Sequence, residues 1–248
     1  MSAGIHIRNL SFSYSGGKPA LKNVSLDVKP GGKLGIIGPS GSGKSTLLLH
    51  LNGILNDGHG HVEIGGTKVE KKTLPEIRKM VGLVFQNPDD QLFNPTVEED
   101  VEFGPLNFGY TREEVSLRVR EALRSMNLSG FEKLTSHHLS LGERKRVALA
   151  TVLAISPRVI AFDEPFSSLD PGMISQLVAL INNLDATLVI VSQLLMPLIA
   201  CCQDIAVLRD GEIQAAGPKE EILRDRDLLR SNGMDPGFYL DIYQEYFM

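Results

Sequence analysis

The stretch 34–49, LGIIGPSGSGKSTLLL, constrains this chain more than any other. Leu34, Ile36 and Ile37 read as a buried strand. Gly38, Pro39, Ser40, Gly41, Ser42 and Gly43 break it, and Lys44, Ser45 and Thr46 open a leucine-rich helix. This is G-x-x-x-x-G-K-[ST] in the strand–loop–helix setting that the motif requires. Glycine adopts backbone conformations that other residues resist, so successive N–H groups converge on a phosphate chain. The helix N-terminus adds its dipole to the same anion. Lys44 is expected at the β- and γ-phosphates and the Ser45 hydroxyl on Mg²⁺. An ordinary glycine-rich turn is the bland alternative, and the full motif with both flanks argues against it. The pattern implies a nucleoside triphosphate site.

Composition narrows the setting. The 248 residues, 42% hydrophobic and 22% charged, are ordinary for a globular protein with ample core. A net charge of -5 gives no electrostatic footprint for nucleic acid. The two cysteines, Cys201 and Cys202, are adjacent and form no usual disulfide framework, which fits a reducing, cytosolic compartment. They are expected as buried small apolar residues rather than a metal site. The start MSAGIHIRNL carries no signal-like apolar stretch, and the longest apolar run, near 147–155, is too short to span a bilayer. Any membrane role is therefore expected through a partner.

Strands are expected at 5–14 and 24–28, with Leu10, Phe12 and Tyr14 on one face. Tyr14 is either a packed strand aromatic or a ring stacked on adenine. A small hairpin follows near 61–69, where His59 and His61 lack a third metal ligand nearby. From 87 to 138 the texture turns helical. Thr73–Glu76, Thr96–Glu99 and Thr111–Glu114 each have capping-box spacing. Val115, Val119, Ala122, Leu123 and Met126 should line one helical face. Strands then alternate with helices to the last hairpin at Asp210 and Gly211, as in a parallel sheet covered on both faces. The expected fold is α/β: a P-loop core with a parallel sheet, an N-terminal antiparallel β subdomain, a helical subdomain and a short C-terminal extension. The tail puts Tyr239, Ile242, Tyr243 and Tyr246 on one helical face.

Chemistry concentrates at two further segments. Ile160, Ala161 and Phe162 deliver Asp163 and Glu164 to a strand's carboxyl end, where ligands of an open α/β sheet lie. Asp163 is expected to hold Mg²⁺, and Glu164 to act as general base on the attacking water. Ser140 and Glu143 form another capping-box pair in Leu139-Ser140-Leu141-Gly142-Glu143. That segment is either a well-capped helix or a second anion site. The following Arg144, Lys145 and Arg146 read as a solvated face or a phosphate-adjacent contact rather than a nucleic-acid patch.

Tyr14, the loop 38–46, Gln86, the segment 139–143, Asp163–Glu164 and Ser167-Ser168-Leu169-Asp170 occur in the order seen in ATP-binding-cassette ATPases, which this chain resembles over roughly 5–220. The resemblance implies that ATP is sandwiched between the P-loop of one subunit and the segment Ser140, Gly142 and Glu143 of another. It implies that Gln86 senses Mg²⁺ and water and that Asp170 belongs to the contact between sites. Residues 1–220 would be the ATPase domain, with a helical subdomain at about 87–142, and 221–248 an extension. The run 85–110, FQNPDDQLFNPTVEEDVEFGPLNFGY, is similar to ATPases of energy-coupling-factor transporters, closest to the cobalt/nickel uptake type. That implies a homodimer or a pair with a related ATPase at the cytoplasmic face of the cell membrane. A transmembrane T component would dock near 87–93, with a substrate-binding membrane subunit contacted indirectly. Leu141 stands where that family commonly has glycine. Gln193 stands where it has a switch histidine; glutamine donates a hydrogen bond but carries no proton at neutral pH. A vitamin-type importer, a soluble cassette acting on DNA or ribosomes, and a cassette with impaired hydrolysis are the alternatives.

Overall fold

The computed structural model describes residues 2–234. In chain order, β1 (Ile5–Ser13) and β2 (Pro19–Val28) form a hairpin, and β3 (Lys33–Ile37) leads into α1 (Lys44–Leu51). Next come β4 (His59–Ile64), β5 (Thr67–Lys68), α2 (Leu74–Met80) and β6 (Val81–Val84). Helices α3 (Val97–Asn107), α4 (Arg112–Ser125) and α5 (Leu141–Leu153) precede β7 (Val159–Asp163). The remainder is α6 (Pro171–Asn182), β8 (Thr187–Val191), α7 (Leu195–Cys201), β9 (Asp204–Arg209), β10 (Glu212–Pro218), α8 (Lys219–Arg224) and α9 (Arg226–Ser231).

Two sheets organise these elements. The first is antiparallel, in the order β2-β1-β4-β5. The second runs β10-β9-β3-β8-β7-β6. Its strands from β9 to β6 are parallel, and β10 adds an antiparallel edge through the turn at Asp210 and Gly211. The expected α/β architecture is therefore present, with a sheet that is mixed at one edge. Every residue of β8 is buried, as a strand covered on both faces requires. Its side chains alternate between two cores. Leu188 and Ile190 join the helical layer, while Val189 and Val191 face the N-terminal sheet and α1. Val115, Val119, Ala122, Leu123 and Met126 are all buried in the helical layer, as their spacing predicted.

Three expectations need correction. Tyr14 lies beyond β1 and is 49% exposed, whereas Leu10 and Phe12 are buried. Register shifts between Leu10 and Phe12 and between Phe12 and Ser13 break the regular pairing before Tyr14, although its ring still packs against Phe12. Thr73 caps nothing: its hydroxyl takes the Glu70 N–H and reaches the carbonyls of Lys68 and Glu70, while Glu76 accepts from Thr67. The capping boxes at Thr96, Thr111 and Ser140 are formed. The basic run is not a solvated face. Arg144 pairs with Asp89, Arg146 donates to the carbonyls of Met126 and Asn127, and Lys145 is buried. Cys201 and Cys202 are buried free thiols, and burial raises both pKa values, that of Cys201 to about 11. The aromatic face at Tyr239, Ile242, Tyr243 and Tyr246 lies outside the described residues.

Candidate active site

The P-loop is clamped from both sides by backbone. A Cβ on Gly38 would sit 1.9 Å from the Leu208 carbonyl of β9, and one on Gly43 would sit 2.4 Å from the Ala20 carbonyl of β2. Gly43 also has φ +105 at the N-cap of α1, so side-chain-free backbone is required there twice over. The turn at Gly211 braces the loop again: its N–H donates to the Ser42 carbonyl at 3.0 Å, and its carbonyl accepts from Lys22. Lys44 is buried and curls back to donate to the carbonyls of Gly38 and Pro39, each at 2.9 Å. Burial holds its pKa below the usual ammonium range, and Glu164 and Asp163 counter that shift. Those carbonyls are weak substitutes for an anion, so an arriving phosphate has a ready cation to take over.

The two carboxylates sit at the end of β7, between β6 and β8. Burial raises both pKa values. The nearby Ser45 hydroxyl and the Lys44 ammonium counter that rise at Asp163, whose Oδ1 is buried without a partner. A hydroxyl beside a carboxylate with one free oxygen is a hard-oxygen donor set that suits Mg²⁺. Glu164 is 6% exposed and has φ +46, a left-handed conformation that side chains avoid. Its Oε2 accepts the Gln193 N–H at 3.0 Å, while Oε1 is buried and unpartnered. A carboxylate with one oxygen fixed and the other free is placed to take a proton.

Gln193 joins the two halves of this site. Its backbone holds Glu164, and its Nε2 donates to Ser40 Oγ of the P-loop at 3.1 Å. The Ser42 hydroxyl is buried with no partner in the same loop. Tyr14 reaches the loop as well. Its hydroxyl meets Thr46 Oγ1 at 3.1 Å, and its ring stands edge-on to Phe12. Tyr14, Lys18, Gly43, Lys44, Ser45 and Thr46 line one cavity of about 420 Å³. Gln86 is exposed just past β6, the strand beside β7.

The remaining expected residues lie elsewhere. Ser140, Gly142 and Glu143 line a cavity of about 170 Å³ with Arg146, Leu169 and Met173, and it shares no lining residue with the P-loop cavity. Glu143 accepts both the N–H and the hydroxyl of Ser140, which holds its pKa below the usual carboxylate range. A Cβ on Gly142 would meet Met173 Sδ at 2.7 Å, so α5 and α6 pack closely there and a larger residue would make the Met173 side chain shift. Asp170 caps α6 by accepting from Met173 N. Sequence reasoning took Lys145 only as part of a basic run, and it overlooked Asp100. The buried Asp100 carboxylate takes the N–H groups of Phe93 and Asn94 and so shapes the loop after Gln86.

Three comparisons bear on this geometry. A family model described as ABC transporter matches residues 21–167. The energy-coupling factor transporter ATP-binding protein EcfA of Methanothermobacter thermautotrophicus is 46% identical over 231 residues, covering 91% of this chain and 74% of that protein. Among solved structures, cbiO1 of Clostridium perfringens, part of the ABC transporter complex cbiONQ, aligns with a TM-score of 0.81 and 32% identity over 92% of this chain and 93% of that one. The ATP-binding cassette MJ0796, a dimer in a post-hydrolysis state bound to ADP and Pi, aligns with a TM-score of 0.77 and 31% identity, covering 86% of this chain and 98% of that one.

Proposed function

The chain belongs to the ABC transporter family, whose cassettes bind ATP with Mg²⁺ and hydrolyse it for transport, and we propose that it powers an importer of energy-coupling-factor type for cobalt or nickel ions. The observation that carries the reading is the convergence of the P-loop, Asp163, Glu164 and Gln193 at the carboxyl ends of β3, β7 and β8. In this reading Lys44 and the loop N–H groups grip the β- and γ-phosphates. The free Oε1 of Glu164 takes the proton of the attacking water. Gln86 orients that water, and Tyr14 stacks on adenine. Mg²⁺, held by Ser45 and Asp163 with help from Gln86, would neutralise charge on the phosphates. Ser140, Gly142 and Glu143 face the nucleotide of a second copy, with Asp170 at the contact between copies; their separate cavity supports this. The dimeric state of MJ0796 supports it too.

The energy-coupling-factor reading rests on the EcfA and cbiO1 relatives and on a surface feature. Phe93 and Phe103 are 63% and 48% exposed and meet edge-to-face at 5.0 Å, directly after the Gln86 segment. An exposed aromatic pair held by a buried carboxylate suits a transmembrane T component docking near 87–93. Among the described residues no helix is long and apolar enough to cross a membrane. In this reading, which the energy-coupling-factor relatives support, the chain sits peripherally at the cytoplasmic face. Residues 1–220 then make the ATPase domain, with the helical subdomain at about 87–142. A second reading, a cassette with slowed hydrolysis, is favoured by the commitment of the Gln193 side chain to Ser40.

The test is co-purification. Tagged wild-type chain expressed with its genomic neighbours should bring down a hydrophobic membrane subunit, and the assembled vesicles should take up Co²⁺ or Ni²⁺ with ATP. Phe93→Glu should lose that subunit at least tenfold while still binding ATP. Capture of nucleic acid instead, or full capture by Phe93→Glu, contradicts the reading. Uptake of a vitamin without either ion contradicts the choice of solute.

A further inference from the structure

Helix α5 carries an ammonium on the side that faces the core. Lys145 is 6% exposed, and its Nζ donates to the Pro165 carbonyl at 2.9 Å, the Glu164 carbonyl at 3.3 Å and Ser167 Oγ at 3.2 Å. Ser167 Oγ in turn donates to the same Glu164 carbonyl at 2.9 Å. A lysine is rarely buried so fully, because its charge loses water that only good partners replace. Here the replacement consists of two backbone carbonyls and a hydroxyl, all from the segment that carries Glu164. No carboxylate oxygen of the described residues forms an ion pair with Lys145.

The segment it holds needs holding. A non-glycine residue at φ +46 is strained and persists only where its surroundings enforce it. Three restraints act on Glu164. Its N–H donates to the Val191 carbonyl at 2.9 Å, its Oε2 accepts from Gln193, and its carbonyl is gripped by Lys145 and Ser167. The first two come from β8 and the loop after it. The third comes from α5, the helix that Ser140 caps.

We infer that Lys145 is a positioning residue for hydrolysis, fastening the backbone of Glu164 and Pro165 to the helix whose first turn carries Ser140, Gly142 and Glu143. The inference rests on the reading of Glu164 as general base and of that first turn as the surface for a second copy's nucleotide. Five residue steps along α5, about 7.5 Å of rise, take the chain from its N-cap Ser140 to Lys145. A nucleotide seated on the first turn of α5 is thereby linked through one stiff helical segment to the base that serves this copy's own nucleotide. The charged groups around Lys145 are accounted for. Glu164 is the anion whose field acts on it, Arg144 is paired with Asp89, and Arg146 is spent on the carbonyls of Met126 and Asn127. Burial lowers the Lys145 pKa to about 8, so the ammonium is present at neutral pH and lost as pH rises through that value.

The test compares Lys145→Met, which keeps length but removes charge and donors, with Lys145→Gln, which keeps a donor without charge. In the full chain, steady-state hydrolysis should show kcat down at least tenfold in Lys145→Met with KM for ATP within twofold. Lys145→Gln should recover a part of the lost rate. Wild-type kcat should fall as pH rises through about 8, and Lys145→Gln should lack that alkaline fall. A Lys145→Met kcat within twofold of wild type overturns the inference. So does an alkaline fall that persists unchanged in Lys145→Gln, which also decides the matter if Lys145→Met fails to fold. Glu164→Gln run in parallel separates the two levels. If it keeps wild-type turnover, the assignment of the base fails; if it is inactive while Lys145→Met is not, the positioning role alone fails.

Discussion

At the residue scale the site is built from side chains that the fold leaves under-supplied. Glu164 Oε1, Asp163 Oδ1 and Ser42 Oγ are buried without partners, and Lys44 makes do with two carbonyls of its own loop. Such groups cost stability when left unpaired, and their chemistry suits a phosphate, a cation and a water as partners. Gln193 is the exception, because both its backbone and its side chain are already committed. Gln193→His would release Ser40 and place a titratable ring beside the base. Turnover should rise severalfold with ATP affinity within twofold, and an unchanged rate would remove the switch argument. The positions of Lys44, Asp163 and Glu164 were legible because each belongs to a short motif with local spacing, whereas Gln193 was legible only through the family resemblance. Lys145 was legible in neither way. Its neighbours Arg144 and Arg146 suggested a wet basic face, and nothing local in sequence shows that carbonyls about twenty residues away converge on one of the three.

At the element scale the P-loop works because β2, β9 and the turn before β10 press their backbones against it. The Ala20 carbonyl leaves no room for a side chain at Gly43, where φ is +105. Gly43→Ala should therefore weaken ATP binding more than tenfold and lower stability by about 1–3 kcal/mol, read by nucleotide titration and urea denaturation. Unchanged affinity would mean that the clamp is not needed. Elements defined by neighbours in sequence were read well. The capping boxes at Thr96, Thr111 and Ser140 formed as spaced, and the apolar stripe of α4 is buried as its period required. Thr73 had the same spacing, but Thr67 claims Glu76 and the Lys68–Glu70 backbone claims the Thr73 hydroxyl. Strand order was out of reach for the same reason. That β3 lies between β8 and β9 depends on pairings more than 150 residues apart, which no local pattern encodes.

At the scale of the whole molecule, one chain presents two half-sites that do not meet. The P-loop cavity and the cavity at Ser140, Gly142 and Glu143 share no lining residue. The first is lined by Lys44, Ser45 and Thr46, the residues proposed to grip ATP, and the second offers a helix N-terminus with a fixed hydroxyl. Two copies arranged with each P-loop against the other's α5 would complete both sites, and α5 would then report on one nucleotide while Lys145 holds the base for the other. This arrangement is tested most directly by mixing two inactive copies. Lys44→Ala removes the phosphate grip, and Ser140→Arg blocks the first turn of α5; each alone should hydrolyse at under about a tenth of the wild-type rate. A mixed dimer of the two contains one doubly damaged site and one intact site. The account predicts that hydrolysis returns, toward about a quarter of the wild-type rate, when equal amounts of the two variants are combined and allowed to exchange, because half the dimers are then mixed and each has one intact site of two. A mixture that stays as inactive as its parts would contradict it.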